Sequence, residues 1–405
     1  MAEHVVIVGA GHAGGTAAAL LRQYGFEGPI TLIGEEPYPP YQRPPLSKAW
    51  LKGEAGEEDL ELKGHDFYAG ANIDLRLNVR VEAVDRTRKT VTAGGEEIAY
   101  DTLILAVGAR ARTLPIEGHH LSGVFYLRTA DDAEALKHAL TTGKRLVVIG
   151  GGYIGLEAAA SGRALGCEVT VLEREDHLLP RVASQPLSRF FHAYHRAKGV
   201  RFELGASAVA IEGQGACERV RLADGRAIDG DCVLIGVGAV PNVELAQAAG
   251  LDCRDGVVVD AEARTSDPAI FAIGDVTRRP MPLYDREWRL ESVPNALEQA
   301  KQAASAIAGR PPPPPEVPWF WSDQYDIKLQ IAGVPFESDE VLLRGDPAAA
   351  PFAVFHLKGD RLLAVEAANA PAEFMGGRLL ILSGKPVDKA KLVDPSVSMK
   401  AVALA

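Results

Sequence analysis

The same short pattern occurs twice in this chain. A β-branched run, Val5–Val8, precedes the glycine-rich loop Gly9-Ala10-Gly11-His12-Ala13-Gly14, and Leu146–Ile149 precedes the loop Gly150-Gly151-Gly152-Tyr153-Ile154-Gly155. Apolar runs of this kind are typical of buried parallel strands, and the alanine-rich stretches after the loops are typical of helices. In both copies a second apolar run follows and ends at a glutamate. Each copy therefore predicts a strand, a G-x-G-x-x-G loop, a helix, a strand and an acid.

This succession is typical of dinucleotide binding. The first glycine of each loop permits a tight turn, the second lets the backbone approach a pyrophosphate, and the third allows helix and strand to pack closely. These positions are Gly9, Gly11 and Gly14 in the first copy and Gly150, Gly152 and Gly155 in the second. The helix start adds N–H groups and partial positive charge. Two copies indicate two cofactors, which we interpret as a tightly held FAD at the first and an exchanging NADH at the second.

The acids that close the two patterns are Glu35 and Glu173. Each can accept hydrogen bonds from ribose hydroxyls. A carboxylate would repel a 2′-phosphate, so Glu173 favours NADH over NADPH. Arg174, its neighbour, could in principle bind that phosphate and remains the basis of the alternative.

A later segment completes the first nucleotide-binding domain. The apolar run from Ile270 to Ile273 ends in Gly274-Asp275 and looks like a return to the first unit. We expect Asp275 to reach the ribityl chain of FAD. The alternative for Asp275 is a helix N-cap, and both roles could hold together.

These features predict an α/β fold with two Rossmann-like domains, the second inserted into the first. The expected boundaries are 1–108 and 240–318 for the discontinuous FAD-binding domain and 109–239 for the NAD-binding domain. Pro311–Pro315 provides no backbone donors and predicts a stiff linker. Residues 319–405 predict a small α+β C-terminal domain with a helix around 372–382.

Composition excludes several other classes of protein. The sequence contains no run of 18 apolar residues that is uninterrupted by a charged residue, so we expect no membrane-spanning helix. The net charge of −11 argues against nucleic acid or an anionic membrane as the main partner. The start, Met-Ala-Glu-His, lacks a basic region and argues against a signal peptide. The four scattered cysteines indicate a reducing cytoplasm and neither a disulfide framework nor a metal site.

Several longer segments resemble one enzyme family. They are VVIVGAGHAG, the segment YQRPPLSK at 41–48, GGGYIGLE at 150–157, AIGDV at 272–276, ESVPNALEQA at 291–300 and PWFWSDQ at 318–324. Over essentially its whole length the chain is similar to the FAD-dependent ferredoxin reductases of cytochrome P450 and ring-hydroxylating oxygenase systems, the putidaredoxin reductase type. The resemblance implies a glutathione reductase-like architecture and electron transfer from NADH through FAD to a [2Fe-2S] ferredoxin.

The resemblance also implies residue roles. The positions it assigns to FAD are Ala13, Glu35, Arg43, Lys48, the backbone of Val81, Ala106, Gly108, Arg128, Asp275 and the backbone of Val293. Those it assigns to the NADH site are Ile154, Glu157, Glu173, Arg181 and Gly238. One departure is Ala106-Val107-Gly108, where many relatives have Ala-Thr-Gly. The change removes a hydroxyl, but we expect the backbone turn to be kept.

Three side chains are candidates for the chemistry beside the flavin. The ammonium of Lys48 near flavin N5 would stabilise the negative charge that develops on reduction, although a solvated surface lysine is the alternative. Glu157 could bind the nicotinamide carboxamide, or could be a solvated or paired helix-start carboxylate. We expect alternation to place Trp319 and Trp321 on opposite faces of a strand. Trp321 would cover the flavin and Trp319 would fill the core, with a core role for both as the competitor.

The route of the electrons follows from what the flavin-facing segment lacks. Residues 39–48 contain no cysteine, which excludes a dithiol relay or a sulfenate cysteine there. The flavin itself must then divide a hydride into single electrons, and a one-electron iron–sulfur acceptor suits this task. An acidic ferredoxin needs local positive charge. The candidate docking residues are Arg278, Arg279, Arg286, Arg289 and Arg310.

Two other functions fit the same scaffold. One is an NADH oxidase or a monodehydroascorbate-type reductase. The other is a redox-sensing interaction protein similar to apoptosis-inducing factor, in which NADH changes the affinity for a partner. The chain shows no long basic stretch to favour the second.

Overall fold

The computed structural model describes residues 3–64 and 66–404. It divides into two compact units. The first unit comprises Met1–Gln42, Glu57–Arg110 and Val240–Pro318, and the second comprises Arg43–Gly56, Ala111–Ala239 and Trp319–Ala405. The three-domain division expected from the sequence, with its boundaries, stays a prediction. No helix within the described ranges has the length and apolar character needed to cross a bilayer.

The described residues form helices and strands that we number in chain order. The helices are α1 (His12–Gln23), α2 (Ala49–Lys52), α3 (Glu57–Leu60), α4 (Phe67–Gly70), α5 (Ala130–Ala139), α6 (Tyr153–Ala164), α7 (Gln185–Ala197), α8 (Glu244–Ala248), α9 (Val293–Ile307), α10 (Pro371–Ser383) and α11 (Lys389–Val393). The strands up to the middle of the chain are β1 (Val5–Val8), β2 (Ile30–Ile33), β3 (Asp74–Arg76), β4 (Val81–Asp85), β5 (Thr90–Ala93), β6 (Glu96–Ala99), β7 (Thr102–Leu105), β8 (Ala109–Ala111), β9 (Val124–Phe125), β10 (Arg145–Ile149), β11 (Glu168–Glu173), β12 (Arg201–Leu204) and β13 (Ala208–Glu212). The later strands are β14 (Arg219–Leu222), β15 (Ala227–Asp229), β16 (Cys232–Ile235), β17 (Ala239–Pro241), β18 (Val257–Val258), β19 (Ile270–Ala272), β20 (Thr277–Met281), β21 (Arg286–Trp288), β22 (Trp319–Gln324), β23 (Ile327–Gly333), β24 (Glu340–Gly345), β25 (Phe352–Lys358) and β26 (Arg361–Ala368).

A parallel sheet in the order β19-β7-β1-β2-β3 forms the centre of the first unit. All four residues of β1 are buried, because helices cover one face of the sheet and the β4-β5-β6 sheet covers the other. Ala17 and Leu21 of α1 and Ala303 of α9 pack on the first face, and Val91 of β5 packs on the second. The pairing of β19 with β7 confirms that the late segment returns to the first nucleotide-binding fold.

The second unit contains a parallel sheet of the same plan, in the order β12-β11-β10-β16-β9. Its central strand β10 leads through the second glycine loop into α6, as β1 leads into α1. The repeat read from the sequence is therefore confirmed as two copies of one strand–loop–helix–strand arrangement. Leu51 of α2 is buried in the core of this unit, beside Leu136 and Leu140, and anchors residues 43–56.

The C-terminal part of the second unit is a five-stranded antiparallel sheet in the order β22-β23-β26-β25-β24, with α10 packed on it. This confirms the expected α+β character. The predicted helix at 372–382 is observed as Pro371–Ser383. The five prolines between α9 and β22 form neither helix nor strand, as predicted.

The second unit contains a fully buried histidine. His195 of α7 has no exposed surface and packs among the rings of Phe191, Phe202 and Tyr325. Burial lowers the pKa of His195 to about 4, because the charged imidazolium loses its hydration there. The ring is therefore neutral in the folded protein at neutral pH.

This burial makes stability depend on pH. Between the unfolded pKa of 6.5 and the folded value of about 4, the unfolded chain binds a proton that the folded chain does not. The neutral His195 therefore makes its full contribution to the free energy of unfolding above about pH 6.5, and this contribution is lost as the pH falls towards 4. We expect a loss of about 2 kcal/mol in the free energy of unfolding between pH 7 and pH 5 from this residue. Denaturant unfolding measures the free energy of unfolding at pH 7 and at pH 5. The difference between the two values should be about 2 kcal/mol smaller in His195→Gln than in the wild type. An equal difference in both proteins would contradict the assignment.

Candidate functional site

The residues predicted for FAD in the first unit gather at one edge of its parallel sheet. Because β1, β2, β7 and β19 run parallel and in register, the segments that follow them meet at their carboxyl ends. These segments begin with Gly9, Gly34, Ala106 and Ile273. Ligands of open α/β sheets bind at this edge.

The glycine loop in the first unit fits a pyrophosphate. Gly9 has φ of +110°, and a Cβ on it would lie 2.3 Å from the Ala106 carbonyl oxygen. A Cβ on Gly14 would lie 1.9 Å from the Gly9 carbonyl oxygen. A Cβ on Gly11, in contrast, would meet no atom of the described chain within 4 Å. Gly9 and Gly14 are thus required by the fold itself, whereas Gly11 leaves open space at the N-terminus of α1 in which a pyrophosphate would fit.

Glu35 and Asp275 lie at the same edge. The Glu35 carboxylate is 67% exposed and lies 3.4 Å from a guanidinium nitrogen of Arg80, so it can still accept from a ribose. Asp275 lies in a single turn of 3-10 helix after β19. The N-cap alternative for Asp275 is wrong, because the cap of the following helix α9 is Ser292, whose hydroxyl accepts from the Asn295 amide at 3.2 Å.

The other residues that the resemblance assigns to FAD in this unit are mostly backbone positions. Ala13 is buried in the first turn of α1, and Ala106 donates its N–H to the Val8 carbonyl at 2.7 Å. Gly108 has φ of +62°, so the turn survives the neighbouring valine. The last two positions are Val81, the first residue of β4, and Val293, the first residue of α9. Their contacts with FAD stay predictions.

The second unit repeats the arrangement for the predicted NADH site. Gly150 has φ of +114°, and a Cβ there would lie 2.3 Å from the Gly236 carbonyl oxygen. A Cβ on Gly155 would lie 2.3 Å from the Gly150 carbonyl oxygen, whereas one on Gly152 would meet nothing within 4 Å. Gly238, with φ of +109°, follows β16 at the same edge.

Glu173 is held by the loop it faces. Its Oε2 accepts from the Gly151 amide at 2.8 Å, and its Oε1 accepts from the Glu175 amide at 3.0 Å. A carboxylate has about four lone-pair positions, so each oxygen can still accept from a ribose hydroxyl. Arg174, the alternative ligand for a 2′-phosphate, is paired with Glu175 at 3.0 Å.

Two residues near the start of α6 present apolar or cationic surface. Ile154 in the first turn is 48% exposed, which suits a residue that a cofactor covers. Arg181 is exposed in the loop after β11. The next residue of that loop, Val182, accepts from the Tyr153 hydroxyl at 3.1 Å, which attaches the loop to the helix start.

Lys48 and Glu157 form a buried ion pair. Lys48 Nζ lies 2.6 Å from Glu157 Oε2, with 17% of the lysine side chain and 2% of the glutamate side chain exposed. Lys48 Nζ also donates to the Pro44 carbonyl at 3.0 Å. The structure therefore excludes the solvated alternative for Lys48, and it shows Glu157 as a paired carboxylate, which was one of the alternatives for that residue. A charge pair with so little water around it gives a fixed, strong local field.

Two serines that were not predicted as site residues complete the surroundings of Glu157. Ser47 donates to Oε2 at 2.5 Å, and Ser322 donates to Oε1 at 2.6 Å. Ser161 of α6 donates to the Ser47 carbonyl at 2.8 Å and secures that segment. Ser47 and Ser322 lie inside the segments RPPLSK and PWFWSDQ, and these segments were the sequence feature that could have identified them as site residues.

The expected placement of the two tryptophans is wrong. Trp319 and Trp321 lie on the same face of β22, with ring centroids 5.6 Å apart. Residues two apart in a strand share a face, since the side-chain period is two. The Arg378 guanidinium lies 5.6 Å from the Trp319 ring centroid. Both rings are half-buried, so the pair forms one aromatic surface.

Arg43 and Arg128, two further residues predicted to bind FAD, are connected by a hydrogen bond from one side chain to the other residue's backbone. Arg43 donates from Nη1 to the Arg128 carbonyl at 2.6 Å, which ties the start of the 43–56 segment to the residue before α5. The role of both guanidinium groups towards FAD stays a prediction.

None of the four cysteines is a candidate redox group. All are free thiols, three of them buried and one half-buried. Burial raises the pKa of Cys232 to about 12, and it also raises the pKa values of Cys167, Cys217 and Cys253. Protonated thiols are poor nucleophiles. Electron transfer therefore depends on the cofactors and not on a cysteine.

The predicted docking cluster needs a correction at Arg279. This residue is 5% exposed and donates to both oxygens of Glu298 at 2.7 and 3.1 Å. It is a buried structural ion pair and cannot face a partner. Arg289 is also mostly covered, with 15% of its side chain exposed between Asp255 and Glu291.

The remaining members of the cluster differ in accessibility. Arg278 is half-buried and lies 3.4 Å from Glu287, and Arg286 is half-buried. Arg310 is exposed, and its guanidinium lies 4.5 Å from the Tyr24 ring centroid.

Comparison with known proteins agrees with this geometry. Residues 3–300 match the model of the pyridine nucleotide-disulphide oxidoreductase family, and residues 319–403 match the reductase C-terminal model. The chain is 52% identical over 99% of both lengths to a probable ferredoxin reductase, CtmF, of Castellaniella defragrans. It is 42% identical to putidaredoxin reductase CamA of Pseudomonas putida, over 99% of this chain and 96% of that one.

The structure is likewise similar to the covalent putidaredoxin reductase–putidaredoxin complex. The TM-score is 0.96 at 43% sequence identity, over 98% of this chain and 97% of the other.

The open space at Gly11 generates a prediction about FAD binding. We expect Gly11→Ala to fold normally, because the new methyl meets no described atom within 4 Å. The methyl would occupy the approach to the pyrophosphate and weaken FAD binding by at least about tenfold, or about 1.4 kcal/mol. The flavin-to-protein absorbance ratio after dialysis measures this loss. Gly70→Ala, which is also in open space, is the control, and full FAD content in Gly11→Ala would contradict the assignment.

The placement of Glu173 generates a prediction about cofactor choice. Removing the carboxylate in Glu173→Ala should raise the Michaelis constant for NADH about tenfold, as expected for the loss of one charged hydrogen bond. The ratio of kcat/KM for NADH to that for NADPH should fall by about the same factor. Steady-state kinetics with both nucleotides measure this change. Glu168→Ala removes an exposed carboxylate at the other end of β11, where it pairs with Arg201, and should retain the preference. Unchanged discrimination in Glu173→Ala would defeat the assignment.

Proposed function

The chain belongs to the pyridine nucleotide-disulphide oxidoreductase family, and within this family we propose that it is an NADH-dependent ferredoxin reductase. It is an oxidoreductase that uses FAD and NAD(H), and the family resemblance noted in its sequence is confirmed. Its electron acceptor is an iron–sulfur ferredoxin, of the [2Fe-2S] type, that serves a cytochrome P450 or a ring-hydroxylating oxygenase. The names of its relatives, which include a reductase crystallised with its redoxin, support this acceptor.

One observation supports this proposal most strongly. The chain has two complete dinucleotide loops but no thiol suited to redox chemistry, since burial raises the pKa of all four cysteines. When bound, FAD accepts two electrons as a hydride and can return them one at a time. The protein therefore needs only to hold two cofactors and admit a one-electron partner. The free thiols also support a reducing compartment, and we place the reaction in the cytoplasm.

Lys48 and Glu157 are the side chains that we assign to the hydride-transfer step. Glu157 holds the Lys48 ammonium at 2.6 Å, and the ammonium would stabilise negative charge that develops on the reduced isoalloxazine. Glu157 accepts three hydrogen bonds, from Ser47, Lys48 and Ser322. A carboxylate offers about four positions. One position is left for the nicotinamide carboxamide, so the two proposed roles of Glu157 are compatible.

Trp321 is the residue that we assign to covering the flavin. The half-buried Trp319 and Trp321 rings form a single aromatic surface, and such a surface would exclude water and oxygen from a reduced cofactor. Limiting the access of oxygen to the reduced flavin would favour electron transfer to a ferredoxin over an NADH oxidase reaction.

We assign ferredoxin docking to the accessible part of the arginine cluster. The members with exposed surface are Arg310, Arg278 and Arg286. Arg279 is instead buried in an ion pair with Glu298. Local positive charge of this kind would attract an acidic partner despite the negative total charge.

Stopped-flow absorbance tests the function. Mixing the yellow holoenzyme with NADH should bleach the flavin band quickly, and oxidised [2Fe-2S] ferredoxin should then restore it. Fast recovery with air alone would indicate an oxidase. Slow bleaching with a lasting charge-transfer band would indicate a redox sensor.

The same experiment tests Lys48. Lys48→Ala leaves Glu157 buried without its counter-ion, so we expect flavin reduction to slow by at least about tenfold or FAD to be lost. Lys52→Ala removes a more exposed lysine one turn away, paired with Glu54, and is the matched control. Wild-type reduction rates in Lys48→Ala would refute the role.

A further inference from the structure

The hydrogen bonds around Glu157 continue into the interior of the second unit. Ser322, which contacts Glu157 Oε1, lies 3.1 Å from Gln324 Nε2. Gln324 Oε1 lies 2.7 Å from His195 Nε2. Ser322 and Gln324 share one face of β22, and His195 lies on α7. A connected series of polar groups therefore runs from the carboxylate of Glu157 to the imidazole of His195.

The carboxylate sets the direction of every bond in this series. An ionised Glu157 can only accept, so the Ser322 hydroxyl must donate its one proton to it. Ser322 can then only accept from Gln324, which places the Gln324 NH₂ group towards the serine. The Gln324 carbonyl oxygen consequently faces His195. This oxygen needs a donor, so the imidazole carries its proton on Nε2.

Burial makes this arrangement costly to change. Ser322, Gln324 and His195 each have no exposed surface, and Glu157 is 3% exposed. An amide or hydroxyl that loses its partner in such a place pays its full desolvation cost. Reversing one bond would leave two donors or two acceptors facing each other.

The far end of the series is closed. His195 Nδ1 has no hydrogen-bond partner among the described residues and is surrounded by aromatic rings. Burial also keeps this imidazole neutral, since it lowers the pKa of His195 to about 4. The series therefore has no outlet through which a proton could leave, and it acts by holding its members in place.

We propose that Ser322, Gln324 and His195 are positioning residues for Glu157, and that their one-directional hydrogen bonds hold the carboxylate in the orientation in which it pairs with Lys48. Each member orients the next, from His195 through Gln324 to Ser322. The imidazole thereby stabilises, from a distance, the charge pair that we assign to hydride transfer. This inference deepens the proposed function and rests on it for its kinetic consequence alone.

The tautomer of His195 tests the direction of the series without using activity. ¹⁵N-histidine NMR of the holoenzyme, with the signal assigned by its loss in His195→Gln, should show a neutral ring protonated on Nε2 at pH 7. In Ser322→Ala, Gln324 loses its acceptor and can turn over, so both tautomers should appear. A ring protonated on Nδ1 in the wild type, or a purely Nε2-protonated ring in Ser322→Ala, would overturn the proposal.

Reduction kinetics test the positioning role. Removing a hydrogen bond to a buried carboxylate should slow flavin reduction by NADH roughly tenfold in Ser322→Ala, with little change in the dissociation constant for NADH. Ser322→Thr keeps the hydroxyl and should restore the rate. Ser188→Ala removes a buried hydroxyl of α7 outside the series and should behave as wild type. An equal loss in Ser322→Thr or Ser188→Ala, or a wild-type rate in Ser322→Ala, would reject the role.

These two measurements separate the two proposals. If the tautomer behaves as expected but the chain fails to reduce any ferredoxin, the positioning series stands and the acceptor assignment falls. If ferredoxin is reduced but the wild-type ring carries its proton on Nδ1, the positioning series falls alone.

Discussion

The second unit is organised around a carboxylate that has almost no water. An unpaired charge in such a place would cost several kcal/mol, so the side chain of Glu157 requires partners on every side. The partners come from two segments far away in the sequence, Ser47 and Lys48 on one side and Ser322 on the other. The carboxylate thereby joins the short 3-10 helix Pro44–Ser47 and Lys48, the helix α6 and the strand β22 into one network.

Features set by local chemistry could be read from the sequence. The two glycine loops were predictable because positive φ at Gly9 and Gly150, and close approach at Gly14 and Gly155, exclude other residues. The run of prolines likewise excludes helix and sheet. These constraints act over a few residues, so the strand–loop–helix repeat and the return of β19 to the first sheet followed from short stretches of sequence.

Features set by distant partners could not be read in this way. Arg279 belongs to a cluster of arginines that looks like a charged surface, yet it pairs with Glu298, a residue 19 positions later on α9. Ser47 and Ser322 lie in distinctive segments of the sequence, but neither segment shows that its serine binds a carboxylate, and that role follows only from the fold that brings Glu157 to them. The error at the tryptophans differs in kind, because the period of a strand already requires Trp319 and Trp321 to share a face.

The proposed role of the Lys48–Glu157 pair also bears on how this scaffold would work with four free thiols. A dithiol relay stores two electrons on sulfur, and it needs a thiol of low pKa in contact with the cofactor. Here burial raises the pKa of every cysteine, and the group that we propose to act on the reduced cofactor is instead the Lys48 ammonium in the segment before α2. An ammonium can stabilise charge on a reduced cofactor but cannot store electrons. Electrons must therefore leave directly from the cofactor, which favours an external one-electron acceptor over a substrate that is reduced at the protein.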